Sequence, residues 1–149
     1  MNCSEVMTSD PTCCLPNETA ARIAKVMKTS NVGSVPICED RHGKVLLGIV
    51  TDRDLAIKVV AEGHDPASIR ARDVMTRDPV TCHGEDDLQK TIEAMEVNQV
   101  RRIPVVDESG HLIGIIAQAD IAIRYGQPER IAQMVEEVSR PGSGRVAGA

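Results

Sequence analysis

The sequence predicts an α/β fold of the α+β type, made of two β-α-β-β-α repeats packed as an intramolecular pair. Three observations lead there. The first is an internal duplication: Val6-Met7-Thr8-Ser9-Asp10-Pro11 recurs as Val74-Met75-Thr76-Arg77-Asp78-Pro79, 68 residues on. The same offset carries Cys14 to Cys82, Met27 to Met95, Val32 to Val100 and Pro36 to Pro104. The second is that both copies show the same succession of turn, helical and extended patterns. The third is composition: 149 residues contain no Phe, no Trp and one Tyr, Tyr125. A copy of roughly 60 residues without large aromatic side chains buries too little apolar surface to be comfortable alone. Pairing the two copies solves that problem.

Each element follows from local chemistry. Copy one opens on a short turn, Ser4-Glu5-Val6-Met7, with Ser4 as its expected N-cap. Thr12 to Leu15 reads as extended. Asn17 then caps a helix from Glu18 to about Ser30, whose Ala20, Ile23, Ala24 and Met27 recur at helical spacing. Ser34-Val35-Pro36-Ile37-Cys38 is extended, because a residue before proline avoids the helical region. Asp40-Arg41-His42-Gly43 supplies turn chemistry, and the strand Lys44 to Val50 closes a hairpin. Asp52 is the expected cap of a second helix, Arg53 to about Ala61, ended by Gly63.

Copy two repeats the order. Val80-Thr81-Cys82 is extended, Glu85 to Asn98 helical and Arg102 to Val106 a strand. Glu108-Ser109-Gly110 turns into a strand at Leu112 to Ile116, and Ala119 to Tyr125 is helical. From Gly48/Gly114 to Asp54/Asp120 the offset is 66, so two residues are lost within the hairpin, which keeps every strand side chain on its face. The boundaries are therefore 1–66 and 67–126. A further helix covers 127–140, with Pro128 at its first position. The stretch 141–149 has little to bury and is expected to be disordered.

Composition narrows function as well. The net charge is −5 and the pI about 5.3, so the protein's field does not attract nucleic-acid phosphate. Aromatic base-stacking platforms and aromatic cages are excluded outright. No run approaches about 18 apolar residues and no basic segment precedes an apolar one, so neither a membrane span nor a secretion signal is expected. Five cysteines, with Cys13 and Cys14 adjacent, do not form an extracellular disulfide framework; a reduced cytoplasmic setting is expected.

The most informative segment is Gly48-Ile49-Val50-Thr51-Asp52-Arg53-Asp54, a strand running straight into a helix. Unpaired N–H groups and partial positive charge at a helix entrance suit a phosphate, and Thr51 can add a hydroxyl. Asp54, one turn in, can accept from two vicinal ribose hydroxyls. The alternative reading is a plain helix cap with no ligand at all.

These features, taken with the twin Val-Met-Thr-x-Asp-Pro openings and the strands Ser34-Val35-Pro36-Ile37 and Arg102-Ile103-Pro104-Val105, resemble a tandem pair of CBS domains, a Bateman module. The resemblance covers about residues 4 to 125. It implies a non-catalytic regulatory protein that binds an adenosine-type ligand, AMP, ATP or a relative, in clefts between the repeats. It implies that Asp54 holds ribose and Thr51 helps with phosphate, beside Asp52. Val35, Val80 and Ile103 become base contacts, and Arg53, Arg101 and Arg102 phosphate partners, with Arg102 facing the ligand. In the second copy Ala117 and Gln118 replace the hydroxyl residues, while Asp120 is kept. The resemblance also implies a homodimer formed through the helices that follow each hairpin, with Leu55, Val59 and Val60 as its face. No cofactor, metal, nucleic acid or membrane partner is required.

Two other readings remain open at this stage. Cys13 and Cys38 sit where strands of one sheet bring them together, as a disulfide or redox pair. The alternative for all five cysteines is burial as small hydrophobes. A ligand-free interaction module is the remaining possibility.

Overall fold

The computed structural model describes residues 1–141; the expected disordered stretch falls almost wholly outside them. The chain divides into two compact units. Among the described residues one is Pro11–Pro79; the other joins Met1–Asp10 to residues 80–141. The cut differs from the sequence boundaries at 66 and 67, because each copy's opening segment packs in the unit built by the other copy.

In the first unit a helix α2, Ala20–Ser30, is followed by the hairpin β2 (Ser34–Cys38) and β3 (Leu46–Thr51). The register pairs Val35 with Val50 and Pro36 with Ile49, and shifts by a bulge after Ile37. Helix α3 (Asp52–Leu55) leaves β3 directly and continues as a π-helical turn, Ala56–Val60. The short helix α4 (Ala71–Val74) and strand β4 (Thr76–Arg77) then return, β4 pairing with β3 at Gly48 and Ile49. Cys14 adds a parallel bridge to Ile37 on the other side. Ile23, Val35, Ile37, Val50 and Val74 form the core.

The second unit has the same plan. Helix α1 (Cys3–Val6) and strand β1 (Thr8–Ser9) take the places of α4 and β4, with β1 paired to β7 (Leu112–Ala117). The sheet order is β1-β7-β6-β5, with β5 Cys82–His83 and β6 Arg102–Val106. Helix α5 (Leu88–Asn98), α6 (Gln118–Arg124) and α7 (Pro128–Ser139) cover it. Cys82 pairs in parallel with Val105, as Cys14 does with Ile37, and the hairpin bulge recurs after Val105. The duplication extends to backbone torsion: Asp10 and Asp78, then Asn31 and Gln99, share left-handed conformations.

Several expected boundaries move, each for a capping reason. Asn2, not Ser4, caps α1, in a box closed by Glu5. Thr19 caps α2 two residues later than the expected Asn17, its hydroxyl accepting from the Arg22 N–H. Asp87 caps α5, so that helix starts at Leu88 instead of Glu85. Ala24, expected on the apolar stripe of α2, is exposed; Val26 takes its place in the core. Helix α7 is not an appendage, because Met134 and Val138 are buried in the second unit's core.

Candidate functional site

Strand β3 delivers Thr51 to the first turn of α3, and Thr51, not the expected Asp52, is the cap. The Thr51 hydroxyl accepts from the Asp54 N–H at 3.1 Å, while the Thr51 N–H donates to Asp54 Oδ2 at 2.9 Å. The same hydroxyl donates to Asp54 Oδ2 at 3.1 Å. Asp54 is only 2% exposed. A buried carboxylate needs charge compensation. Lys58, one turn further on, places its Nζ 3.1 Å from Asp54 Oδ1 and donates to the Val74 carbonyl at 2.9 Å. Asp52 and Arg53 are exposed, and Asp52 Oδ1 accepts from the Arg53 N–H at 2.9 Å.

The equivalent entrance in the second unit keeps half of this arrangement. The Ala117 N–H donates to Asp120 Oδ2 at 2.9 Å, but Ala117 has no hydroxyl to cap the Asp120 N–H. Asp120 is half-buried. The Gln118 N–H donates to the Arg101 carbonyl at 2.9 Å, as the Asp52 N–H does to the Gly33 carbonyl at 3.0 Å. Arg124, 66 residues after Lys58, donates to the Val6 carbonyl at 2.8 Å, and Val6 is the duplicate of Val74. The basic residue at this helical position therefore holds the last turn of the borrowed helix in both units. A cation near helix C-terminal carbonyls is favourable.

The other expected site residues fall within the unit to which their strands belong. In the first unit Val35 is fully buried in β2, one residue from Ser34, which pairs with Thr51. In the second unit Ile103 is fully buried and Val80 half-buried against the same core. Arg102 is half-buried and lies opposite Ala117, whereas Arg101 is exposed. The expected face of Leu55, Val59 and Val60 is split: Val59 is buried in the first unit's core and Val60 is 75% exposed, because adjacent residues of a helix point to different faces.

Cys13 and Cys38 are both buried and carry no disulfide. Burial raises the Cys38 thiol to about 12, with the neighbouring Cys13 adding to the effect. Cys3 and Cys82 form a second neighbouring pair, in which the Cys82 hydrogen bond draws Cys3 down to about 7 and Cys82 itself is raised. Thr91 Oγ1 lies 3.0 Å from the Cys3 Sγ.

Sequence reasoning missed Lys58 and Arg124, although Asp54/Lys58 and Asp120/Arg124 share the i,i+4 spacing that brings side chains together on a helix. It also missed why Gly48 and Gly114 stand where they do. A methyl group on Gly48 would meet the Met75 side chain and the Thr76 carbonyl; one on Gly114 would meet Met7 and Thr8. The twin glycines make room for the twin Met-Thr openings. A separate open pocket of about 830 Å³ lies in the second unit, lined in part by His83, Asp86, Asp107 and Ile113, and includes none of the expected ligand residues. Among the described residues no cluster of three or more His, Cys, Asp or Glu is placed to hold a metal, and no helix is long and apolar enough to cross a membrane.

Comparison with known proteins agrees with the duplication. The CBS domain family model matches residues 3–61 and 71–125. An uncharacterised protein of Methanopyrus kandleri is 35% identical over 136 residues; these are 91% of this chain but 65% of that protein, less than two thirds of its length. Hypoxic response protein 1 of Mycobacterium tuberculosis is 34% identical over 137 residues, covering 92% of this chain and 93% of that protein. Its crystal structure, with two coordinated zinc ions, superimposes with a TM-score of 0.75 over 83% of this chain and 98% of that one. The CBS domain pair of protein MJ0100, in complex with 5′-methylthioadenosine and S-adenosyl-L-methionine, is 27% identical. It has a TM-score of 0.75 over 85% of this chain and 96% of that one.

Proposed function

The chain belongs to the CBS domain family, as two copies in tandem, and we propose that it is a non-catalytic regulatory module that senses an adenosine-type ligand. The observation that carries this reading is the repeated strand-to-helix entrance with a carboxylate at its third helical position, Asp54 and Asp120. Carboxylates so placed are suited to the vicinal hydroxyls of a ribose. The ligand pair bound by the MJ0100 CBS domains is built on the same nucleoside. Aliphatic strands such as those bearing Val35 and Ile103 offer apolar surface to a purine without any aromatic ring, which suits this composition. AMP and ATP are the ligands favoured, with Thr51 and Arg53 toward phosphate at the first entrance and Arg102 near the second.

In this reading the protein acts as a homodimer whose geometry the ligand shifts. Ile57, Val60 and Ile123, on the helices after the two hairpins, are exposed apolar side chains suited to such a contact. The five cysteines are all buried, which suits packing as small hydrophobes better than reaction at the surface.

The test is thermal unfolding with AMP, ATP, NAD and S-adenosylmethionine, because a ligand that binds only the folded state raises the melting temperature. A rise with at least one of them, reduced in Asp54→Ala or Asp120→Ala, is expected. No shift with any of the four, in wild type or variants, sinks the reading.

A further inference from the structure

Two basic residues in equivalent positions are used differently by the two copies. Lys58 shares its ammonium between Asp54 Oδ1 (3.1 Å) and the Val74 carbonyl (2.9 Å). Arg124 gives its guanidinium to the Val6 carbonyl at 2.8 Å, with Met7 at 3.5 Å, and makes no ion pair with Asp120. The carboxylates differ accordingly. Asp54 is 2% exposed, with Oδ2 taken by the Thr51 N–H and hydroxyl and Oδ1 by Lys58. Asp120 is half-buried, and among the described residues its one hydrogen bond, from the Ala117 N–H, falls on Oδ2.

We infer that Lys58 is the residue that sets which copy offers its carboxylate to a ligand: it occupies Asp54 from within, and Asp120 is the open acceptor. The inference rests on the reading that these carboxylates take ribose hydroxyls. A ribose diol approaching Asp54 Oδ1 meets an ammonium already seated there. Exchanging that cation for two neutral hydroxyl donors in a buried site leaves the carboxylate undercompensated. At Asp120 the diol meets an oxygen on which none of the described residues places a cation, since Arg124 is engaged by backbone carbonyls. The presence of Thr51, which favours the first copy by sequence, is thus offset by its helical neighbour Lys58.

Isothermal titration of the full chain with AMP tests this, with 2′-deoxy-AMP as the probe lacking the diol. Asp120→Asn is expected to abolish most wild-type binding and Asp54→Asn to leave it nearly unchanged. Lys58→Met, which keeps the aliphatic stem and removes the charge, is expected to tighten AMP binding at the first copy by about tenfold, the worth of one charge-assisted hydrogen bond. That gain disappears in Lys58→Met/Asp54→Asn and with the deoxy probe, whereas Lys58→Arg behaves as wild type. Equal losses from Asp54→Asn and Asp120→Asn, or weaker AMP binding by folded Lys58→Met, overturn the inference and leave the proposed function standing. Absence of AMP binding in wild type and Lys58→Met alike overturns the inference. The function itself fails only if ATP, NAD and S-adenosylmethionine also give no thermal shift.

Discussion

Gly48 and Thr76 approach so closely that a methyl group on Gly48 would lie 2.6 Å from the Thr76 carbonyl oxygen. That carbonyl belongs to backbone held in the β3–β4 ladder, where Gly48 pairs with Arg77 and Ile49 with Thr76. It has no flexible end that could move aside. Gly48→Ala is expected to destabilise the protein by about 1–3 kcal/mol through overpacking. Gly84→Ala, whose new methyl group meets Ser4 at 3.4 Å and Ile113 at 3.6 Å, should stay within about 0.5 kcal/mol. Denaturant midpoints for both variants check the contrast.

The two helix entrances predict opposite effects from the same chemistry. Thr51→Ala removes the hydroxyl that caps the Asp54 N–H and should cost about 1–2 kcal/mol. Ala117→Thr supplies the missing cap for the Asp120 N–H at a half-buried position and should add about 0.5–1 kcal/mol. A loss of stability in Ala117→Thr of the same size as that in Thr51→Ala would show that the entrances differ in more than their cap.

Helix α7 should behave as part of the second unit's core. Met134 is fully inaccessible to solvent, and Arg130 forms an ion pair with Glu96 on α5. Met134→Ala is expected to cost about 2–5 kcal/mol, measured by urea unfolding. A cost below about 0.5 kcal/mol would instead mark α7 as a loosely held extension.

Two hairpin carboxylates predict an acid limb. The Gly43 and His42 N–H groups hold Asp40 below its ordinary 3.8, and the His111 N–H does the same first for Asp107, aided by Ser109. A carboxylate depressed on folding stabilises the native state above its unfolded value. The contribution is complete above roughly pH 4 and is lost as the pH falls through the folded value. Proton-detected titration should place both groups under 3.8, and Asp107→Asn should flatten the acid limb of the stability curve.

The alkaline limb runs the other way. Burial pushes the Cys14 thiol from 9.0 up to about 12, with Glu18 adding to the effect. An unfolded thiol ionises above 9 while the folded one stays protonated, so the folded state holds more protons and stability falls as the pH rises beyond that value. Cys14→Ala should lose this part of the slope between pH 9 and 11. An unchanged slope would place the thiolate inside the folded protein.

Much of the fold was legible because its signals are local. The hairpin strand Arg102–Val106 needed only a Pro-containing extended run, and the left-handed turn at Gly110 needed only its glycine. Helix starts were less legible. Asn17 and Thr19 both have capping side chains, and the choice fell to Thr19, whose backbone bridges Arg70 in a distant segment. At the site, Thr51 and Asp54 were readable from spacing; the role of Lys58 was not, since its second partner, the Val74 carbonyl, lies 16 residues away.

The duplication itself, the four long strands and the two carboxylates at equivalent entrances follow from the order of residues along the chain, because period and spacing are properties of neighbours. The allocation of the opening segments does not. Val6-Met7-Thr8 and Val74-Met75-Thr76 are identical, and Gly48 and Gly114 offer each of them the same space. Local chemistry therefore permits either segment to pair with either hairpin. Three-dimensional packing resolves the choice by placing β1 on β7 and β4 on β3, so that each unit is completed by the other copy's beginning.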